Sequence, residues 1–371
     1  MKHHIPVVWM VVVALLVAIC SCDRRVSQPE PASENGPSPS EPMPSATEGD
    51  RGAPKSPSQG PASPIPEVNK PTVRAVLDHP YIVEALAFSP DGKALAAVGR
   101  FNDVYIWDVS KGKDPIILKG HSKSIKAVAF SPDRKTLATG GYDKSVKLWD
   151  YTTGEATGTL KLTAELEESA RMIHSVYFTP DGKRVVAGYD GGIIAVWDLA
   201  TGDTPKTFKK YSERLALSSD GKKLATVNDG SPVTLIDLAS GDVQARFEGN
   251  VGWVRAVAWS PDGKTIATGS NEGHLKLWDV ATKKERAALK GQRNHVTALA
   301  FSPDSRTLAS GSSFGTSEIR IWDVLEAKEL FAMEDQPGDV NTLAFNNEGT
   351  MLASGDMKAR LWAMPKSKPE K

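Results

Sequence analysis

From about residue 72 onward the chain alternates short apolar runs with polar turns, and the alternation recurs. One stretch shows the pattern. The run 125–130, Ile-Lys-Ala-Val-Ala-Phe, stops at Ser-Pro-Asp-Arg, resumes as 136–140, Thr-Leu-Ala-Thr-Gly, and resumes again as 146–149, Val-Lys-Leu-Trp. These runs are too short for helices and are bounded by turn residues, which predicts β-strands. A fourth apolar run, Ile-Ile-Leu at 116–118, precedes the set. The inner runs mix Ala and Gly with Val and Leu and carry little polar alternation. That predicts small sheets covered on both faces.

The turn recurs as Ser89-Pro90-Asp91-Gly92, Ser131-Pro132-Asp133-Arg134, Thr179-Pro180-Asp181-Gly182, Ser218-Ser219-Asp220-Gly221, Ser260-Pro261-Asp262-Gly263, Ser302-Pro303-Asp304-Ser305 and Asn346-Asn347-Glu348-Gly349. Its residue types suit a type I turn: Pro pre-sets φ at the second position, Ser caps the first and Gly closes the fourth. A second motif follows each turn, as Trp107-Asp108, Trp149-Asp150, Trp197-Asp198, Ile236-Asp237, Trp278-Asp279, Trp322-Asp323 and Trp362-Ala363, at intervals of 42, 48, 39, 42, 44 and 40 residues. A four-stranded unit of this size cannot bury both faces alone, so the copies must stack, and at this period the stack closes radially. The predicted fold is all-β, a seven-bladed propeller of four-stranded antiparallel blades. The fourth unit, with Ile236 for Trp and Ser219 for Pro, departs furthest within its pattern.

Ser-Pro-Asp-Gly, Trp-Asp and the pair Gly120-His121 that opens the second unit resemble the WD-repeat propellers, over residues 72–364. The resemblance implies that the first strand, Val-Arg-Ala-Val-Leu at 73–77, completes the outer edge of the last blade, the one that ends at Trp362. That removes an exposed edge. It also implies that His121, Thr139, Asp143 and Trp149 form a structural hydrogen-bond chain inside a blade and not a catalytic array. His79 and Trp107 supply part of such a chain in the first unit. Asn250 and Glu272 stand at the His and Asp positions of the fifth, and Gln292 at the His position of the sixth. In WD-repeat propellers the loops from outer to inner strands surround the channel mouth. The residues just ahead of each inner strand are Ile82, Ser124, Met172, Tyr211, Trp253, His295 and Asp339. Tyr, Trp, Met and His are anchor types of protein interfaces, so this ring is the candidate partner-binding site, with Ile82, Met172, Tyr211, Trp253, His295 and Asp339 as its residues. The alternative is that Trp253 and Met172 simply cover the blade tops. An insertion at 163–173 carrying Glu165, Glu167 and Glu168 falls on the same face and reads as a partner-selectivity element.

The first residues have another character. A short basic head is followed by an apolar run at 5–19 and by Ile19-Cys20-Ser21-Cys22. The run is shorter than the roughly 20 residues of a membrane span and matches an export signal. Its end resembles the bacterial lipobox, with Ile19 three residues and Ser21 one residue ahead of Cys22, the expected lipidated residue. An uncleaved anchor is the alternative, and both place the remainder outside the cytoplasmic membrane, in the bacterial cell envelope. Residues 23–71 hold twelve of the 25 prolines and few large apolar residues, which predicts a disordered linker after the 1–22 signal. Residues 365–371 form a basic tail.

Composition removes several classes of function. Lys plus Arg and Asp plus Glu are equal at 45 each, against the basic excess of a nucleic-acid binder. The only cysteines are Cys20 and Cys22, so a disulfide within the propeller and a paired Cys-x-x-Cys zinc site are both absent from its sequence. There is no Gly-rich phosphate loop, Gly-x-Ser-x-Gly elbow or His-Glu-x-x-His motif, and the carboxylates recur with the turns instead of singling out a pair. No metal or cofactor is expected. The expected function is a membrane-tethered, extracytoplasmic protein–protein interaction scaffold without catalytic activity, tethered through an N-terminal lipid and binding no nucleic acid. The competing reading is a propeller enzyme or small-ligand binder that uses the channel mouth.

Overall fold

The computed structural model describes residues 70–161, 170–202, 204–210, 214–227, 232–250 and 252–365, except for the side chain of Asp335. Cys22, the 1–22 segment, the linker up to residue 69, Tyr211, the acidic part of the insertion and the tail beyond 365 therefore lie outside the described residues. Those described form 28 strands and no helix.

The strands pair into seven antiparallel sheets of four. Blade 2 shows the plan, with Ile125–Phe130 innermost, then Thr136–Gly141, Val146–Asp150 and Glu155–Leu160 at the rim. The second strand is buried almost throughout, whereas the outer one is mostly exposed. Small residues in the inner strands let neighbouring blades close up. A Cβ added at Gly140 would lie 2.7 Å from Ile173 Cγ2 and 2.9 Å from Val176 Cγ2 of blade 3.

The core lies between blades, as a series of wedges. Val104, Ile106 and Leu118 of blade 1 pack with Ile125, Leu137 and Trp149 of blade 2, and comparable clusters follow around the ring. Full burial of each such side chain contributes about 1.5–3 kcal/mol, so the inter-blade wedges dominate stability. Trp107, Trp149, Trp278 and Trp322 are among the largest fully buried side chains. Blade 4 has all four strands, although each is only four or five residues long, and Ile236 is fully buried in the Trp position.

The ring closes as the repeat pattern predicts. Each inner strand contacts the inner strand of the next blade, and Thr342–Phe345 of blade 7 contacts Val83–Phe88 of blade 1. The first strand, Thr72–Leu77, pairs antiparallel with Ala359–Ala363, with Leu77 opposite Ala359 and Thr72 opposite Ala363. Val83 N–H donates to Asp356 O at 2.7 Å, and Asn341 Nδ2 donates to Val83 O at 3.2 Å. Leu77 and Trp107 share a core cluster with Met351 and Leu361 of blade 7. The chain's first strand thus completes its last blade as the fourth, outer strand.

Candidate partner-binding face

Because successive strands run in opposite directions, the loops fall alternately on two faces. Turns between first and second strands, and between third and fourth, share one face. The remaining loops surround the channel mouth on the other.

The first face is built from the repeated motifs. Ser260 Oγ donates to Asp262 Oδ1 at 2.6 Å and accepts the Thr265 N–H at 2.9 Å, while Asp262 also accepts the Lys264 N–H. The same Ser-to-Asp bond recurs at Ser89, Ser218 and Ser302, and Thr179 reproduces it. Gly92, Gly182, Gly221, Gly263 and Gly349 close these turns at φ between +67° and +72°, but Arg134 and Ser305 adopt +62° with a side chain attached. The Asp after each Trp caps the next turn: Asp108 accepts from the Ser110 hydroxyl at 2.6 Å and from its N–H at 2.9 Å. These bonds hold its carboxyl down to about 2. Recurrent carboxylates are therefore turn caps, each used up by its own loop.

The mouth face is framed by a second recurring device. In blades 1, 2, 3 and 5 the residue ahead of the inner strand offers its carbonyl to the loop between second and third strands of the same blade. Ser124 O accepts from Tyr142 N–H at 2.9 Å, Met172 O from Asp190 N–H at 2.9 Å and Trp253 O from Asn271 N–H at 2.8 Å. Ile82 O accepts from Arg100 N–H at 3.2 Å, so close to Gly99 that a Cβ there would lie 2.0 Å away. Four of the predicted ring positions are thus held through their backbone, and the side chains of the described ones differ in exposure. Trp253 is 49% exposed, with the Arg255 guanidinium 5.3 Å from its ring centroid. Ile82, Ser124, Met172 and His295 are half-buried. Asp339 is exposed, but its carboxylate caps Phe314 N–H at 3.0 Å and bonds Ser317 Oγ at 3.3 Å, holding the neighbouring loop.

Below this face, His121 Nδ1 lies 2.8 Å from Asp143 Oδ2, His121 Nε2 lies 2.7 Å from Thr139 Oγ1, and Trp149 Nε1 donates to Thr139 Oγ1 at 2.8 Å. A neutral imidazole with its proton on Nδ1 satisfies every bond in the chain. Burial alone would raise the Asp143 carboxyl, but the bond from His121 and those from Ser122 N–H and Ser145 hold it well below the usual carboxylate range. His121, Thr139 and Trp149 are sealed from solvent. The other blades use parts of the scheme. Trp278 bonds Thr268, which bonds Asn250; Trp322 bonds Ser310, which bonds Gln292; Trp362 bonds Ser354. Glu272 does not join its blade's chain. It stays half in solvent, 3.8 Å from His274. In blade 6 the carboxylate comes instead from the third strand: buried Glu318 accepts Arg293 N–H, as Asp143 accepts Ser122 N–H, and pairs with Arg320 at 2.9 Å. Blades 1 and 3 carry Ala97, opposite Tyr105, and Ala187, opposite Ala195, at the positions where blade 2 has Thr139, and the buried Trp197 indole N–H has no acceptor. His79 bonds the Tyr81 carbonyl at 2.7 Å and packs against Tyr105 and Trp107. Its burial lowers its proton affinity more than that carbonyl raises it.

The distribution of exposed apolar residues is lopsided. Tyr81, Phe101, Tyr142, Trp253, Phe314 and Met357 all lie on the mouth face; on the opposite face only Leu325 is comparable among the described residues. Tyr81 and Phe101 stack at 4.6 Å and 14°, and His295 packs on Phe314 at 4.6 Å. Four of these six, Phe101, Tyr142, Phe314 and Met357, come from loops between second and third strands, which the sequence reading did not survey. Their signal was a large apolar residue five to eight positions ahead of the Trp of the Trp-Asp motif. The mouth opens onto a channel of about 320 Å³ lined by all seven inner strands, with Glu84, Lys126, Arg214 and Arg255 among its polar residues.

A closed ring of seven four-stranded blades with one apolar-rich mouth face defines a β-propeller of the interaction type. The WD domain, G-beta repeat family model matches residues 112–150, 160–198, 241–279, 283–323 and 328–363, together more than half of the chain, and the chain belongs to this family. The matches cover the inner three strands of blades 2, 3, 5, 6 and 7; those of blade 4, with Ile236 for Trp, and of blade 1 lie outside them. No curated protein matches the chain. WD-repeat propellers generally mediate protein–protein interaction.

Proposed function

We propose that this protein is a membrane-tethered interaction module of the bacterial cell envelope that binds a protein partner on its channel-mouth face and does no chemistry on it. One observation carries the reading: six exposed large apolar side chains gather on the mouth face, against one on the opposite face. Exposed aromatic side chains set among polar groups are the usual anchors of a protein interface. The near balance of acidic and basic residues argues against a nucleic-acid partner. The apolar run at 5–19 and the Ile19-Cys20-Ser21-Cys22 end support export and lipidation at Cys22.

The test is face-specific cross-linking in cells. A photoreactive amino acid is placed at position 253 or 314, and, as the control, at position 325 on the opposite face. The expected result is a discrete cross-linked protein from 253 and 314 and none from 325. The same adduct from all three positions, or from 325 alone, would sink the assignment of the face. The tether is tested separately: Cys22→Ala should release the protein from the membrane fraction, and retention of this variant would refute lipid anchoring there.

A further inference from the structure

We infer that the cleft between blades 1 and 2 on the mouth face takes the acidic side chain of an extended partner segment, with an apolar neighbour of that residue resting on Tyr81, Phe101 and Tyr142. The inference rests on the mouth face being the partner-binding face, and it names the chemistry that this face selects.

The cleft is about 370 Å³ and is lined by Glu84, Arg100, Ser124, Ile125, Lys126 and Tyr142. Two cations share one carboxylate there. Lys126 Nζ lies 2.7 Å from Glu84 Oε2, and Arg100 Nε lies 3.2 Å from Glu84 Oε1. Burial would raise the Glu84 carboxyl, but Lys126 and Arg100 hold it ionised, so it keeps both cations in place. The cleft is therefore left with one positive charge in excess. Arg100 engages Glu84 only through Nε, and its side chain is 66% exposed, so the guanidinium fork faces outward with its terminal donors unused by the described residues. A fork of that kind matches a carboxylate in two parallel hydrogen bonds.

The apolar part of the site lies outside the cleft, on its lip. Phe101 O accepts the Ile125 N–H at 3.1 Å, which places the Tyr81–Phe101 stack at the cleft wall, and Tyr142 lines the cleft from the other blade. An occupant that satisfies both parts must reach from the Arg100 fork to the exposed rings beside it, as neighbouring side chains of an extended segment do. A single-stranded nucleic acid fits less well. Tyr81 and Phe101 are already stacked on each other, which leaves no slot for a base between them, and one excess charge is a weak phosphate track.

The full-length protein is used to select from a displayed library of random peptides, and the most enriched peptide is synthesised with its acidic residue and with the corresponding amide. The expected selection is an acidic residue beside a large apolar one. Exchanging acid for amide should weaken binding about tenfold or more, the scale of a lost charge-assisted hydrogen bond. Arg100→Gln should weaken the acidic peptide by a similar factor and leave the amide peptide unchanged. Arg100→Glu should abolish binding of the acidic peptide. Melting curves of these variants, all at an exposed position, should match the parent. Acid-free selected peptides, or equal affinity of acid and amide forms, overturn the inference. So does indifference of the acidic peptide to Arg100→Gln. If binding is then still lost in Trp253→Ala, the face stands and only its chemistry was misassigned. If neither Arg100→Gln nor Trp253→Ala weakens any selected peptide, both readings fall. Failure to select any peptide overturns the inference and leaves the face to the cross-linking result.

Discussion

The two faces of this ring are made from the same strands, yet they follow different rules. On the turn face one solution is repeated: Ser Oγ to Asp, Asp to backbone N–H, Gly at positive φ, then Asp after the Trp as a second cap. The motif's Ser and Asp side chains bond mainly within their own turns, so the face offers a partner little that is new from blade to blade. On the mouth face the backbone is held by carbonyls ahead of four inner strands and by buried chains such as His121–Thr139–Trp149, but the side chains above that frame differ from blade to blade. A fold that fixes the frame from beneath leaves its outer positions open to vary. The face with the least repetition is the one where selectivity can reside.

If the frame of the mouth face is separate from what it displays, His121→Ala should destabilise the protein and spare the rings above. It leaves Asp143 and Thr139 buried without their partner, a loss of about 3 kcal/mol, to be read from thermal unfolding. The loss depends on pH. A carboxyl held low in the folded state adds stability above its unfolded pKa, near 4, and this is lost as pH falls through the folded value. The gap between parent and Asp143→Asn should therefore be constant above about pH 5 and narrow below about pH 4. An unchanged melting point in His121→Ala would remove the frame argument.

Ser260→Ala probes the turn face. It removes a buried acceptor from Thr265 N–H and should cost about 1–2 kcal/mol, with no change in cross-linking from position 253. A change in cross-linking would mean that the faces are coupled. Next in size is a gain. Ala187→Ser supplies the acceptor that the Trp197 indole lacks and should raise stability by about 1 kcal/mol. A drop in melting temperature would mean that blade 3 has no room for the oxygen. The smallest effect is expected from Ser305→Gly, which relieves a positive φ at the turn position where other blades carry Gly. A gain of about half a kcal/mol follows, since the relief is offset by the freer unfolded chain. No gain would show that the bond from Asp262 N–H to Ser305 Oγ, at 3.0 Å, compensates for the strain.

Much of this architecture was legible because a repeat announces itself. Turn chemistry at Ser-Pro-Asp-Gly is local, so seven spaced copies predicted seven blades, and the resemblance to WD-repeat propellers implied the closure seen between Thr72–Leu77 and Ala359–Ala363. The hydrogen-bond chains were harder to read. Glu272 stands where an acid was expected, yet its longer side chain remains in solvent, and the working carboxylate of blade 6 is Glu318, inside the third strand and not in the loop ahead of it.

The amino-acid sequence by itself determined the number of blades, their turns, and which Trp and apolar positions fill the wedges between them, because each depends on contacts within one unit or on its repetition. Only the tertiary structure decided what the mouth face displays. Tyr81 and Phe101 are twenty residues apart in the chain and become a stacked pair, and Glu84 lies far in sequence from Lys126 but 2.7 Å away in space. The first pair joins two loops of blade 1 and the second joins the inner strands of blades 1 and 2, so each depends on how strands pack and not on any local motif.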